Sequence, residues 1–245
     1  MPEPYLDPYC GPAPTPVTLL GRWNFDPIIL AAMFALAVAW LQWGRRDTAG
    51  RLSLVGAQVL IAVAFISPLC ALASALFSAR IAHHVILIAG VAPLLAVALP
   101  WKAGPLLPLS ALVILHAAVL WFWHAPDPYL WALSHDALYW AMQVTLMGSA
   151  YLVWREVLSP LTRAGPGVMA LLATVMQMGF LGALLVFASH PVYIAHFGTT
   201  QAFGLSPLGD QQLAGLLMWV TAALPYFGVA LGRFAAMLAP RARTT

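Results

Sequence analysis

Long apolar stretches follow one another along most of the chain, and short segments rich in Pro, Gly and charged residues separate them. Most stretches approach the roughly 20 residues that an α-helix needs to cross a bilayer. Proline and glycine mark most of the breaks, as expected where helices end. The pattern predicts an all-α, polytopic membrane helix bundle with seven transmembrane helices, at residues 27–43, 53–77, 84–100, 105–123, 137–154, 168–188 and 212–232.

Composition supports this prediction and excludes a water-soluble domain. Of the 245 residues, 62% are hydrophobic and 8% are charged, whereas soluble domains carry about 25% charged residues. The formal net charge of +3 does not indicate nucleic-acid binding, because the 11 basic residues form no run. Residues 1–26 are Pro-rich and lack the basic start of a signal peptide. They predict a periplasmic N-terminal arm, before a transmembrane domain at 27–238 and a cytoplasmic tail at 239–245.

Basic residues give the orientation. With the N-terminus outside and the C-terminus in the cytoplasm, only Arg22 and Arg80 lie on the outer side. The nine on the inner side are Arg45, Arg46, Arg51, Lys102, Arg155, Arg163, Arg233, Arg241 and Arg243. This asymmetry is the one that the positive-inside rule requires.

Histidines concentrate on the predicted outer side, where six of the seven fall, and only His116 lies deep in a span. Imidazole, carboxylate and thioether groups are copper ligands, and thioethers favour Cu(I). The outer side faces the compartment in which bacteria handle copper. We therefore predict a copper site there. The candidate ligands are His84, His124 and Asp210, with His83, His190, His196 and Met218 as further members.

Structural roles compete with this prediction. His83 and His84 point about 100° apart on a helix, so we expect His84 to face the bundle and His83 to face headgroups or a partner. Asp210 is also a candidate N-cap of the last span, and His116 could bond to a neighbouring helix. Two cysteines, Cys10 and Cys70, are too few for a disulfide framework, and we do not expect them to pair. The copper site requires His84, His124 and Asp210 to converge.

Several motifs carry a family resemblance over almost the whole length. They are WNFDPIIL (23–30), ISPLCALASALFSARIAHHVILIAGVAPLLAVALP (66–100), WFWHAPDPY (121–129), VYIAHFG (192–198) and DQQLAGLLMWV (210–220). Together they resemble the polytopic CtaG family of cytochrome c oxidase assembly factors, first associated with caa-type oxidases. His84, His124, Asp210 and Met218 match the family's pattern, and His190 and His196 match it loosely.

The chain departs from that pattern at three positions where the family often has histidine. Arg80, Tyr139 and Gln143 stand there instead, and His83 takes a position where the family has glutamine. These replacements leave two interpretations open: a divergent copper site, or a member that contacts the oxidase without holding metal.

The resemblance implies a membrane assembly factor for a haem–copper cytochrome c oxidase, in the bacterial inner membrane. It implies that copper, as Cu(I), is held or relayed at the periplasmic face. The implied partners are an oxidase subunit and periplasmic copper chaperones. No nucleophile–base pair, P-loop or zincin motif is present, so we do not expect an enzyme. The alternatives are a metal-free membrane chaperone of an oxidase subunit and, from paired histidines, a haem-binding membrane protein.

Overall fold

The computed structural model describes residues 8–100 and 107–238, and all regular secondary structure in these ranges is helical. The α-helices are α1 (Pro27–Trp43), α2 (Thr48–Ile61), α3 (Leu69–Ala75), α4 (Phe77–Val85), α5 (Ala92–Ala98), α6 (Leu109–Trp123), α7 (Pro126–Ser134), α8 (Asp136–Leu158), α9 (Ala164–Val186), α10 (Pro207–Leu216) and α11 (Ala223–Leu238). A π-helical segment, Ala62–Ile66, extends α2. Two others, Ile86–Val91 and Leu217–Thr221, join α4 to α5 and α10 to α11.

Four continuous helical stretches are long and apolar enough to cross a membrane: Thr48–Ile66, Phe77–Ala98, Ala164–Val186 and Pro207–Leu238. Helices α6 and α7, bent by 72°, make a fifth if they form one span. Helix α1 is apolar but has 17 residues. The described residues thus form a helical membrane protein, whereas seven spans and the orientation of the termini stay predictions.

Helix α1 has the predicted bounds, but the next two helices do not. The predicted span 53–77 ends at Ile66, because Ser67 is extended before Pro68. A second break at Leu76 separates α3 from α4. Helix α4 therefore begins seven residues before the predicted start at 84, and the two adjacent histidines lie in its second turn.

The starts of α4 and α10 meet the end of α6 at one end of the bundle. The backbone N–H of Phe77 donates to Asp210, which links α4 to α10. The hydroxyl of Tyr193, between α9 and α10, donates to the carbonyl of His124 after α6. We call this the histidine end: the starts of α4, α8 and α10, the segment 187–206, and the α6–α7 turn.

The opposite end gathers the other helix termini. Arg233, near the end of α11, donates to the carbonyls of Val157 and Thr162 between α8 and α9. The backbone N–H of Arg45, after α1, donates to the carbonyl of Ala98 at the end of α5. Arginines predicted to be cytoplasmic thus lie together, away from the histidines. Lys102 and the tail 239–245 lie outside the described residues.

The N-terminal arm packs against the histidine end. A disulfide joins Cys10 to Cys70 of α3, so the expectation that these cysteines stay unpaired is wrong. They are 60 residues apart in sequence, and their spacing carries no signal of the pairing. Tyr9 stacks on Tyr139 of α8 with ring centroids 4.8 Å apart. Its hydroxyl donates to Asp26, the N-cap of α1.

Close packing of α9 on α10 fixes the last helices. A Cβ atom on Gly182 would lie 2.8 Å from the carbonyl oxygen of Gly215, and one on Gly215 would lie 2.6 Å from that of Gly182. Neither position accepts a larger residue without moving the backbone, as is usual where membrane helices approach closely. Helix α10 is thereby held where its first turn reaches α4.

A buried polar cluster at the histidine end

His84 and His124 face each other across the interface between α4 and the end of α6. Nδ1 of His84 lies 3.4 Å from Nε2 of His124. The rings are nearly perpendicular, with an interplanar angle of 82°. The residues are 2% and 3% exposed, so water does not compete for their nitrogen atoms. The structure thus brings together two of the three residues that were predicted to converge, and Asp210 is not the third.

The helix end sets the tautomer of His124. Its Nδ1 lies 2.6 Å from the carbonyl oxygen of Leu120, which can only accept a hydrogen bond. Nδ1 therefore carries the proton, and in the neutral ring Nε2 presents a lone pair towards His84. This is the arrangement of metal-binding histidines, whose second nitrogen donates to a backbone carbonyl. Nε2 of His84 is buried and has no hydrogen-bond partner.

Asp210 serves a different purpose from the one expected. Its carboxylate accepts from the backbone N–H groups of Phe77 at 2.7 Å and Ser78 at 3.1 Å, and from the Ser78 hydroxyl at 2.5 Å. It thus caps the start of α4 from another helix and satisfies backbone donors that α4 cannot pair itself. The expectation that Asp210 caps its own helix is wrong, since Ser206 is the N-cap of α10.

His83 is fully buried, so the expectation that it meets headgroups is wrong. Its ring lies edge-on to Phe65, with centroids 4.8 Å apart. Neither of its nitrogens has a hydrogen-bond partner. The early start of α4 explains the difference, because it places His83 beneath the packed end of the bundle.

His196 is buried in the segment between α9 and α10, and its Nε2 lies 2.8 Å from the hydroxyl of Tyr129. Burial, helped by the positive charge of Arg80, lowers the pKa of His196 to about 3. The remaining two candidates differ. His190 is exposed beside Ser189, whereas Met218 is buried in the π-helical segment of the last span.

Within the described ranges, no three His, Cys, Asp or Glu side chains form a group that could hold a metal. The structure therefore brings together His84 and His124 but not the complete set of predicted ligands.

Deep in the bundle, Nδ1 of His116 lies 2.9 Å from the hydroxyl of Ser149 on α8. The interpretation of His116 as a histidine bonded to a neighbouring helix is confirmed.

Sequence reasoning missed the importance of Arg80, which it treated only as a basic residue on the outer side and as a replacement of a family histidine. Arg80 is 0% exposed, so it does not reach headgroups. The ion pairs of the described residues are Arg45–Asp47 and Arg155–Glu156, so Arg80 does not pair with Asp210. The available signal was its position one turn before His83 and His84 on the same helix.

Comparisons with known proteins give the family. Searches of curated proteins and of solved structures found no match. Residues 31–239 match the family model described as cytochrome c oxidase caa3 assembly factor (Caa3_CtaG), which covers most of the chain and all of the helices from α2 onwards. The chain therefore belongs to the caa3-type cytochrome c oxidase assembly factor family.

Proposed function

We propose that this assembly factor holds Cu(I) between His84 and His124 and passes it to a subunit of a haem–copper oxidase. In this proposal the protein lies in the bacterial inner membrane, with the histidine end towards the periplasm. Periplasmic copper chaperones are the proposed source of the metal. Copper is the cargo, and the chain performs no catalysis. The observation that carries the proposal is the buried 3.4 Å contact between two imidazole nitrogens.

The geometry is close to that of a two-coordinate metal site. A metal–imidazole bond is about 2 Å long, so a linear site separates its two nitrogens by about 4 Å. The observed 3.4 Å requires the rings to move apart by about half an ångström, which a side-chain rotation supplies. On binding, the proton on Nδ1 of His84 moves to Nε2, and both rings remain neutral.

The donor set favours Cu(I) over zinc. Structural zinc sites use four ligands, and catalytic ones use three with a water, whereas His84 and His124 supply two neutral nitrogens. A monovalent ion also needs less charge compensation in a buried site than a divalent one. Because Asp210 is bonded to α4, the structure offers that pair no free carboxylate. A two-ligand site is also easy to unload, as delivery requires.

A metal-free chaperone is the second candidate function. It is favoured by the absence, within the part of the chain that the structure describes, of a third ligand-type side chain grouped with His84 and His124. On this interpretation the 3.4 Å contact is a hydrogen bond that joins α4 to α6. The protein then stabilises an oxidase subunit by contact alone.

Metal content separates the two candidates. Detergent-purified protein is loaded with Cu(I) under reducing conditions, washed and measured by mass spectrometry. We expect about one copper per chain in the wild type and none in a His84→Ala/His124→Ala double variant. A His135→Ala/His190→Ala variant is the matched control, because both of its histidines are exposed. Copper retained in the first variant, or lost equally in both, contradicts the proposed site. An absorption spectrum of the same samples tests the haem alternative.

Complementation tests the cellular role. Cells that lack this protein receive the wild type or either double variant, and their haem–copper oxidase is purified. The copper proposal predicts normal oxidase protein with reduced copper in the His84→Ala/His124→Ala cells. A metal-free chaperone predicts full copper content in those cells.

A further inference from the structure

Arg80 is a buried charge that has no counter-ion among the described residues. It lies on α4 and is 0% exposed. Its Nε, Nη1 and Nη2 atoms are all buried and make no hydrogen bond of accepted geometry. Arginine stays protonated at any physiological pH, so the protein cannot remove this charge by losing a proton.

Two neutral tyrosines lie beside the guanidinium, and the carboxylates of Asp136 and Asp210 act on those tyrosines. The guanidinium Cζ lies 5.2 Å from the centre of the Tyr139 ring. The hydroxyls of Tyr129 and Tyr139 lie beside it. Its charge acts on the neighbouring imidazoles of His83 and His196. Asp210, the buried carboxylate at this end of the bundle, is occupied by the start of α4.

The energetics of a buried ion require more than these neighbours provide. Removing an ion from water costs several kcal/mol even after the protein relaxes. A desolvated cation–π contact returns about 2 kcal/mol or more, which offsets part of that cost. Buried polar atoms are nearly always hydrogen-bonded, and those without a partner often mark an ion or ligand site. Three such atoms on one guanidinium mark the place of an anion.

We propose that Arg80 is the centre of an anion site that binds a carboxylate group. One fixed positive charge matches one negative charge, and the planar fork of a guanidinium pairs with a carboxylate through two parallel hydrogen bonds. The hydroxyls of Tyr129 and Tyr139 can donate further hydrogen bonds to the same oxygens. This site is distinct from the His84–His124 pair and does not depend on copper binding.

A small cavity offers a route to the site. It has a volume of about 100 Å³ and is lined by residues that include Tyr129, Tyr193 and the carboxylate of Asp127. Tyr129 lines the cavity on one side and interacts with Arg80 on the other.

Thermal unfolding in the presence of small carboxylates tests the site. Copper-free protein in detergent is kept in a chloride-free HEPES buffer and titrated with sodium formate. We expect the Tm of the wild type to rise with the logarithm of formate concentration. The Tm of Arg80→Gln should not rise. Arg51→Gln is the matched control, since it loses the same charge from an exposed position, and it should respond like the wild type.

The same variants keep the test valid if formate acts weakly. Without any small anion, Arg80→Gln should be at least as stable as the wild type, because it removes an uncompensated charge. Titration with butyrate identifies the source of the carboxylate: a response to formate alone indicates a free anion, and a response to both indicates a carboxylate carried on a longer chain. Equal responses of wild type and Arg80→Gln, or no response and no heat of binding with either acid, overturn the proposal.

Discussion

Asp210, on α10, and Arg80, on α4, are two buried charges near the start of α4. Their hydrogen bonding is opposite. Asp210 is 1% exposed and Arg80 is 0% exposed. The carboxylate accepts three hydrogen bonds from the first two residues of α4. The guanidinium of Arg80, three residues after Phe77, makes no hydrogen bond of accepted geometry with the described residues.

The difference separates a structural charge from a functional one. A buried ion whose hydrogen bonds are all made holds its own elements together, and removing it breaks the packing. A buried ion that makes no hydrogen bond with the described residues has unused donors that a ligand can fill. By the same criterion, Nε2 of His84 and both nitrogens of His83, which have no partner among the described residues, belong with Arg80 and not with Asp210.

The largest effect on stability should follow from removal of the Asp210 carboxylate, which accepts three hydrogen bonds. Asp210→Ala leaves the backbone donors of Phe77 and Ser78 buried without acceptors. Each buried donor left unsatisfied costs about 1–3 kcal/mol, so we expect the free energy of unfolding to fall by several kcal/mol, with a lower Tm, or the protein to fail to accumulate. Asp127→Ala, at an exposed position in the first turn of α7, is the control. A small loss in Asp210→Ala would show that the cap is not needed.

Removal of the Arg80 charge should instead strengthen the binding of Cu(I). Arg80 lies one helical turn from His84, a distance of about 6 Å. At an effective dielectric constant near 20, repulsion between two unit charges at that distance is about 3 kcal/mol. We expect Arg80→Gln to tighten Cu(I) binding by about tenfold to a hundredfold in anion-free buffer. Competition with a Cu(I) chelator measures this, and weaker binding in the variant would contradict it.

A pH titration examines His196, which lies near Arg80. His196 has a pKa of about 3 in the folded protein, against about 6.5 in an unfolded chain. Protonation therefore favours the unfolded chain, so this contribution is complete above pH 6.5 and is lost as the pH falls towards 3. At pH 5 the loss is about 2 kcal/mol. We expect His196→Gln to lose less stability between pH 7 and pH 5 than the wild type. His190→Gln, exposed in the same segment, should match the wild type.

Local sequence signals predicted some elements well. Helix α1 has the predicted bounds, and its start carries a local signal, since Asp26 is its N-cap and Pro27 its first residue. The start of α4 was not predictable in this way. It is an apolar segment within an apolar run, and the group that caps it, Asp210, lies 133 residues away from Phe77.

The candidate site likewise has features that the local sequence predicts and features that depend on packing. The residue types and their side of the membrane predicted the pairing of His84 with His124, because both lie near helix ends on the same side. Whether Asp210 joined them depended on which unpaired donors lay closer, and only the packing of α10 on α4 decides that. The isolation of Arg80 is a property of its neighbours and not of its own sequence position.

X-ray absorption at the copper edge of the Cu(I)-loaded protein tests the central claim most directly. Two nitrogen neighbours at about 2 Å, with no sulfur neighbour, are the result that the His84–His124 site predicts, and the His84→Ala/His124→Ala variant should give no bound-copper signal. A sulfur neighbour, a coordination number of four, or an unchanged spectrum in the double variant would contradict the account.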